Sequence, residues 1–282
     1  MIRQLLRQPS AWLGGIIVLV ALFAALSASY WFPGDPLEMV GPPYSAPGEE
    51  EGFALGTDLM GRDLLAGLVH GAQVSLLVGG FAALIALLIG VSVGALAGFY
   101  RGRVDSVLMR ITEFFQTIPA FLLAIILVAI LQPSLWTIVF ALGVTSWTGV
   151  ARLTRGEFLA LGEREFVHAA RALGAGPLHL MCREILPNAL TPIIVSTALL
   201  VANAILSEAG LAFLGLGDPN HVSWGSMVGT GREALRSASY MSALPGAAIM
   251  LTVLGLNLLG DALNTALNPR LARRGRVLAA PA

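Results

Sequence analysis

No lysine occurs in the 282 residues; all 17 basic side chains are arginine. A Walker-type phosphate loop needs a lysine on the β- and γ-phosphates, so the chain cannot supply one. Schiff-base catalysis is excluded on the same ground. If ATP drives this protein, another chain binds it. Cysteine is nearly absent as well. Cys182 stands alone, which rules out an intramolecular disulfide and a thiolate cluster around a metal. Charge is scarce: 12% of residues are charged, against roughly 25% in a soluble domain. The 17 arginines balance 17 acidic residues to a net charge of zero, which lacks the electrostatic footprint of a nucleic-acid binder. The four histidines, His70, His168, His179 and His221, show no metal-ligand spacing. No metal site and no convergent catalytic set is expected, and the chain reads as non-enzymatic.

What remains is apolar. Hydrophobic residues make up 56% of the chain and the mean hydropathy is +0.78, so its solvent is a bilayer. A transmembrane helix needs about 20 apolar residues. Ala11 to Phe32 is one uncharged run bracketed by Trp12 and by Tyr30, Trp31 and Phe32, in the manner of an aromatic belt. It is longer than the apolar part of a signal peptide, about 7–15 residues, and reads as a span. A second span lies near Val74 to Gly98. Phe114 to Ala151 carries no charge and is too long for one crossing; Gln132-Pro133-Ser134 splits it into spans three and four. Span five is Ala189 to Ser207 and span six Leu244 to Gly260. The fold class predicted is therefore all-α, a polytopic membrane protein with six transmembrane helices.

Arginine placement orients them. With both termini cytoplasmic, the inner segments hold Arg3 and Arg7, then Arg101, Arg103 and Arg110. The next inner loop holds Arg152, Arg155, Arg164, Arg171 and Arg183, and the tail Arg270, Arg273, Arg274 and Arg276. Only Arg62, Arg232 and Arg236 fall outside, as the positive-inside rule requires. Gly90, Gly94 and Gly98 repeat every four residues on span two, a small-residue stripe suited to close helix packing. Pro119 and Pro245 mark kinks or helix starts.

The segment 33–73 is too long for a simple connection. Its first half is Pro- and Gly-rich around Glu49-Glu50-Glu51. In its second half Thr57 or Asp58 is placed to cap a short amphipathic helix, with Leu59, Leu64, Leu65 and Leu68 toward the membrane surface. The inner loop 152–187 has a helical pattern of its own: Phe166, Ala169, Ala170 and Leu173 recur at helix spacing. Gly174 is a natural stop and Pro177 a natural first-turn residue for the next helix. A short helix, a glycine turn and a second helix make a docking knob, with Arg164, Arg171 and Arg183 available to acidic partners or to Glu163, Glu165 and Glu184.

This knob resembles the coupling loop of ABC importer permeases, whose pattern of Glu-Ala-Ala, three residues and Gly, then a spacer to Leu-Pro, is matched by Ala169, Ala170, Gly174, Leu186 and Pro187; His168 replaces the glutamate. The outer string Gly56-Thr57-Asp58, Gly61-Arg62-Asp63 resembles the signature of C-type permeases of the dipeptide, oligopeptide and nickel branch. Phe213-Leu-Gly-Leu-Gly217 with Ser223-Trp-Gly-Ser-Met227, and Asn257 to Leu263 with Asn268-Pro-Arg270, agree in the same order. The resemblance implies the type I ABC importer permease fold and a non-catalytic subunit of the bacterial cytoplasmic (inner) membrane. It implies a second homologous permease as a heterodimer partner, two ABC ATPase subunits that bind ATP and Mg, and an extracytoplasmic solute-binding protein. This chain would bind no cofactor. The cargo would be a peptide, nickel or a metal chelate. The helix around Glu165, Phe166, His168, Ala169, Ala170, Arg171 and Leu173 would be the lever to the ATPases. The layout is then a tail and first span (1–32), an outer loop (33–73), a five-helix core (74–270) and a tail (271–282), with coupling through 163–187.

Ionisable residues within spans are functional suspects because burying them is costly. Glu208 and Asp261 lie at span ends, Asp261 close enough to Arg270 to pair; Asn203 and Asn257 lie deeper, suited to interhelical hydrogen bonds. Asn203, Glu208 and Asn257 are the pathway candidates. The alternative is a secondary carrier or channel not driven by ATP, but such carriers usually show acidic or histidine relays at mid-depth.

Overall fold

The computed structural model describes residues 8–267. The N-terminal arginines, the tail arginines and Asn268-Pro269-Arg270 of the last motif lie outside them. Among the described residues the structure is helical, with one isolated bridge between Thr57 and Asp63.

Helix α1, Pro9–Trp31, is followed by α2, Leu64–Tyr100. At 37 residues α2 runs about 55 Å, well beyond a hydrocarbon core of about 30 Å. It therefore starts ten residues before the apolar run that announces it. The reason is a cap: the Asp63 carboxylate accepts the Leu65 N–H at 2.8 Å. No separate amphipathic helix precedes it, so the short helix expected in 33–73, capped by Thr57 or Asp58, is corrected to a non-helical loop feeding α2 directly.

Helices α3, Gly102–Thr117, and α4, Ala120–Leu131, meet at a bend of 80°. Pro119 causes it, since proline has no N–H to donate and forces Ile118 into an extended conformation, ψ 127°. The apolar run expected as span three thus begins on a bent pair of helices, not one rod, and its apolar half is the 12 residues of α4. After Gln132, the Ser134 hydroxyl caps α5, Leu135–Gly162, by accepting the Thr137 N–H. Beyond α5 come α6, Glu165–Ala172, and a short helical turn, Pro177–His179. A π-helical stretch, Leu180–Ile185, leads from there into α7, Leu186–Leu211, and a second one, Ala212–Leu216, ends it. Helix α8, Trp224–Gly231, and α9, Tyr240–Leu267, complete the bundle.

Among the described residues four helical stretches are long and apolar enough to cross a membrane, five if the bent pair counts as one span. Helix α5 is 28 residues long and carries Arg152, Arg155 and Glu157 in its second half. It forms the most extensive helix pairing of the bundle with α2. The glycine stripe is the cause. A Cβ on Gly90 would sit 2.5 Å from Val150 Cβ and one on Gly98 2.6 Å from Phe158 Cβ, with the Ala151 carbonyl still nearer to Gly94. The stripe thus packs within the chain, as ordinary bundle packing. At one end of this pair Arg155 clamps Asp105 of α3 with two bonds of 2.5 and 2.6 Å.

Candidate functional site

The knob is built on the end of α2 and α5. Arg101 and Glu163 pair at 2.5 Å. The hydrogen bond from that guanidinium, and then its charge, hold the Glu163 carboxyl below the ordinary range. Helix α6 follows. Its anchor is Val167, 0% exposed, packed among Phe158, Leu180, Met181 and Ile185. Sequence reading missed Val167, although Val167 and Ala170 stand three apart, the spacing of a buried face. Phe166, Ala169 and Leu173, the expected face, point outward. At the turn Gly174 takes φ +87°, and the Gly174 and Ala175 N–H groups close onto the carbonyls of Arg171 and Ala170. Pro177 occupies the first helical turn beyond it. The tip is apolar and bare, with Leu173 89% and Leu178 74% exposed. Around it His168 lies 3.8 Å from Glu163 and His179 3.5 Å from Glu184. Arg164, Arg171 and Arg183 make no ion pair among the described residues. Leu186 and Pro187 begin α7, so knob and span share one continuous helical path.

The outer motif is a backbone knot at the other end of α2. Thr57 is 0% exposed; its hydroxyl donates to the Pro42 carbonyl at 2.5 Å and accepts the Ser45 N–H at 3.0 Å. The Tyr240 hydroxyl donates to the Ser45 carbonyl at 2.8 Å, tying the loop to α9. Gly56 and Gly61 have φ +79° and +77° with the Ser45 and Gly41 carbonyls against them, where no Cβ fits. Asp58 accepts the N–H groups of Met60 and Arg62 at 2.7 and 2.9 Å.

Nearby, Asp218 accepts the N–H groups of Leu135 and Asn220, both at 2.8 Å, and lies 3.0 Å from His221 Nδ1. Burial works to raise its pKa, but those donors prevail and hold it below the ordinary carboxylate value. A depressed folded pKa gives stability that is complete above the unfolded value of about 3.9 and is lost as pH falls through the folded one. Asp218→Asn should therefore melt below the wild type at pH 7, the two converging as melting is followed down through the acid range. A gap unchanged by acid would contradict this.

Of the membrane candidates, Glu208 is 2% exposed. Ser75 of α2 donates to its carboxylate at 3.3 Å and accepts the Trp224 N–H at 3.3 Å, while the Trp224 indole donates to the Leu68 carbonyl at 2.8 Å. The carboxyl thus ties α7 to α2 and α8 inside the chain. Asn203 is exposed, and Asn257 lines an open apolar groove with Leu206 and Met250. Neither makes an interhelical hydrogen bond among the described residues, contrary to expectation, and Asn257 is half-buried. Asp261 is exposed, and Arg270, its expected partner, lies outside the described residues.

A helical bundle with a sharply bent helix pair, long apolar helices and a bare polar-rimmed knob is the architecture of a multi-pass membrane protein. It superposes on a chain of the MetNI methionine ABC transporter, solved in inward-facing conformations, with a TM-score of 0.60 at 19% identity, over 72% of this chain and 96% of that one; that likeness concerns fold alone. The model of the family "binding-protein-dependent transport system inner membrane component" matches residues 90–273, and the chain belongs to this family. Its relatives include a di/tripeptide transport system permease protein of Pseudomonas aeruginosa, 41% identical over 92% of this chain and 88% of that one. An oligopeptide transport system permease protein of Bacillus subtilis is 38% identical over 92% and 83%. A glutathione transport system permease protein of Pectobacterium atrosepticum is 36% identical over 95% and 90%.

Proposed function

We propose that this chain is one of two permease subunits of an ATP-driven importer of short peptides in a bacterial inner membrane. The observation that carries the reading is the knob: a helix fixed from below by Val167 presents Leu173 and Leu178 bare to solvent, with Arg164 and Arg183 beside it making no ion pair among the described residues. Leu173 and Leu178 flank one turn outside the apolar spans and together form an apolar tip of the kind that marks a protein contact, and the knob is continuous with a membrane span. The partners are a homologous permease, two ATPase subunits that hold ATP and Mg, and an extracytoplasmic binding protein. This chain binds no nucleotide, for want of lysine. Relatives named for peptides and glutathione favour a peptide cargo over nickel or a metal chelate.

Both termini are cytoplasmic in this reading, and α5 is the fourth of six crossings, its arginine-bearing half at the inner surface. ATP binding closes the ATPase pair, α6 moves with it as a lever, and the bundle rocks between inward- and outward-facing states. Asn203 and Asn257 are assigned to the surface shared with the partner permease or the pathway, and Glu208 to holding α8 against the bundle. Reconstitution of the four-chain assembly in liposomes should give uptake of labelled dialanine that requires ATP and the binding protein. Uptake by this chain alone without ATP would overturn the reading in favour of a carrier.

A further inference from the structure

At the end of the bundle opposite the knob, the loop holding Asp58, Arg62 and Asp63 faces the segment holding Asp218 and His221 across a cavity of about 150 Å³. That is room for about five waters at ~30 Å³ each, or for one small solute of similar volume. Arg62 Nε is buried with no hydrogen-bond partner, and its guanidinium makes no ion pair among the described residues. Native structures rarely leave a buried donor unsatisfied, so this one calls for an acceptor from elsewhere.

The carboxylates beside it are only half used. Asp58 Oδ1 takes both backbone donors of its own turn, and Asp63 Oδ1 takes the cap of α2. No hydrogen bond falls on either Oδ2 among the described residues. Asp218 differs, since the Leu135 and Asn220 N–H groups and His221 occupy both its oxygens. The cavity therefore offers one unpaired cationic fork and two unpaired anionic oxygens. With three carboxylates against one guanidinium, a bare anion is repelled. A group carrying both signs is not.

We propose that this cavity recognises a short zwitterionic peptide, its carboxylate on Arg62 and its ammonium on the free oxygens of Asp58 and Asp63. Arginine presents a planar fork matched to a carboxylate. The inference rests on the peptide cargo proposed above and deepens it by placing a contact on this chain itself. The motif residues then have two tasks: Gly56, Thr57 and Gly61 fold the knot, and the charged members meet the solute.

The test uses the full-length chain in lipid nanodiscs with three probes: dialanine, N-acetyl-dialanine and dialanine amide. Dialanine should bind the wild type, and each blocked probe should bind roughly tenfold more weakly, the loss of one charged hydrogen-bonding group. Arg62→Gln should weaken dialanine by a similar factor while leaving the amide unchanged. Asp63→Asn, which keeps a capping side chain, should weaken dialanine while leaving the acetylated probe unchanged. Equal binding of all three probes, dialanine binding unaffected by either variant, or no binding to the wild type (a cavity that holds water only) overturns the site. ATP-driven uptake in the reconstituted assembly separates the two claims. Uptake without the probe pattern sinks this site alone, and the probe pattern without uptake sinks the importer while the site stands.

Discussion

Gly174→Val is expected to leave the protein inserted and folded while lowering ATP-driven uptake by roughly tenfold or more, with ATP hydrolysis by the partner chains continuing. A tenfold loss corresponds to about 1.4 kcal/mol, and the backbone supplies a term of that size. Gly174 holds φ +87°, and a Cβ there would meet nothing within 4 Å. The penalty is therefore conformational rather than steric, about 1–2 kcal/mol for an L-residue in the left-handed region. A β-branched side chain suffers most, so the turn relaxes, and Leu173 and Leu178, which flank it, change their relative placement. The bundle is untouched because the residues under the knob, Val167 and Ile185, lie on other turns. Gly174→Asn should be milder, since asparagine tolerates the left-handed region. Uptake and ATPase activity measured on the same proteoliposomes decide it: normal uptake by the valine variant would remove the knob from the coupling mechanism.

Gly94→Leu should do the opposite and destroy the fold before function can be asked about. A Cβ on Gly94 lies 2.7 Å from Thr154 Cβ and 3.0 Å from the Arg155 nitrogen, with the Ala151 carbonyl closer still. Two of these three are backbone, which no rotamer change can move aside. Helices α2 and α5 would have to separate along their whole pairing, so the effect should exceed the usual 1–3 kcal/mol of overpacking. Gly80→Leu is the control on the same helix, because nothing lies within 4 Å of its Cβ. Thermal unfolding in detergent should show a large drop, or no monodisperse protein at all, for Gly94→Leu and near-wild-type behaviour for Gly80→Leu. Equal stability of the two variants would contradict the packing account.

These two glycines show what a sequence can and cannot disclose. Hydropathy alone locates α1, α7 and α9, because lipid requires long apolar runs whatever their neighbours. The turn at Gly174 is legible because glycine followed by proline at that spacing is local chemistry. The start of α2 is not, since its first ten residues are interrupted by Gly67, His70, Gly71 and Gln73 and its cap, Asp63, resembles the rest of a charged loop. The 80° break at Pro119 was visible as a proline but not as an angle, which depends on what α4 packs against. Val167 was hidden for a similar reason: periodicity finds faces, but only the tertiary contacts say which face is inward. Glu208, Ser75 and Trp224 form a tie between residues far apart in the chain, and no local pattern records such a contact. The outer motif was legible as a string, while its role as a knot needed the Thr57 and Tyr240 hydrogen bonds to become apparent.

The central claim is that a chain without a lysine works by borrowing its energy from others. Affinity purification of the tagged chain from its native membrane in mild detergent, with identification of what accompanies it, tests this most directly. The account predicts a homologous permease together with one or two chains bearing phosphate-loop lysines. Recovery of the chain alone, still able to move solute across liposomes without ATP, would contradict it.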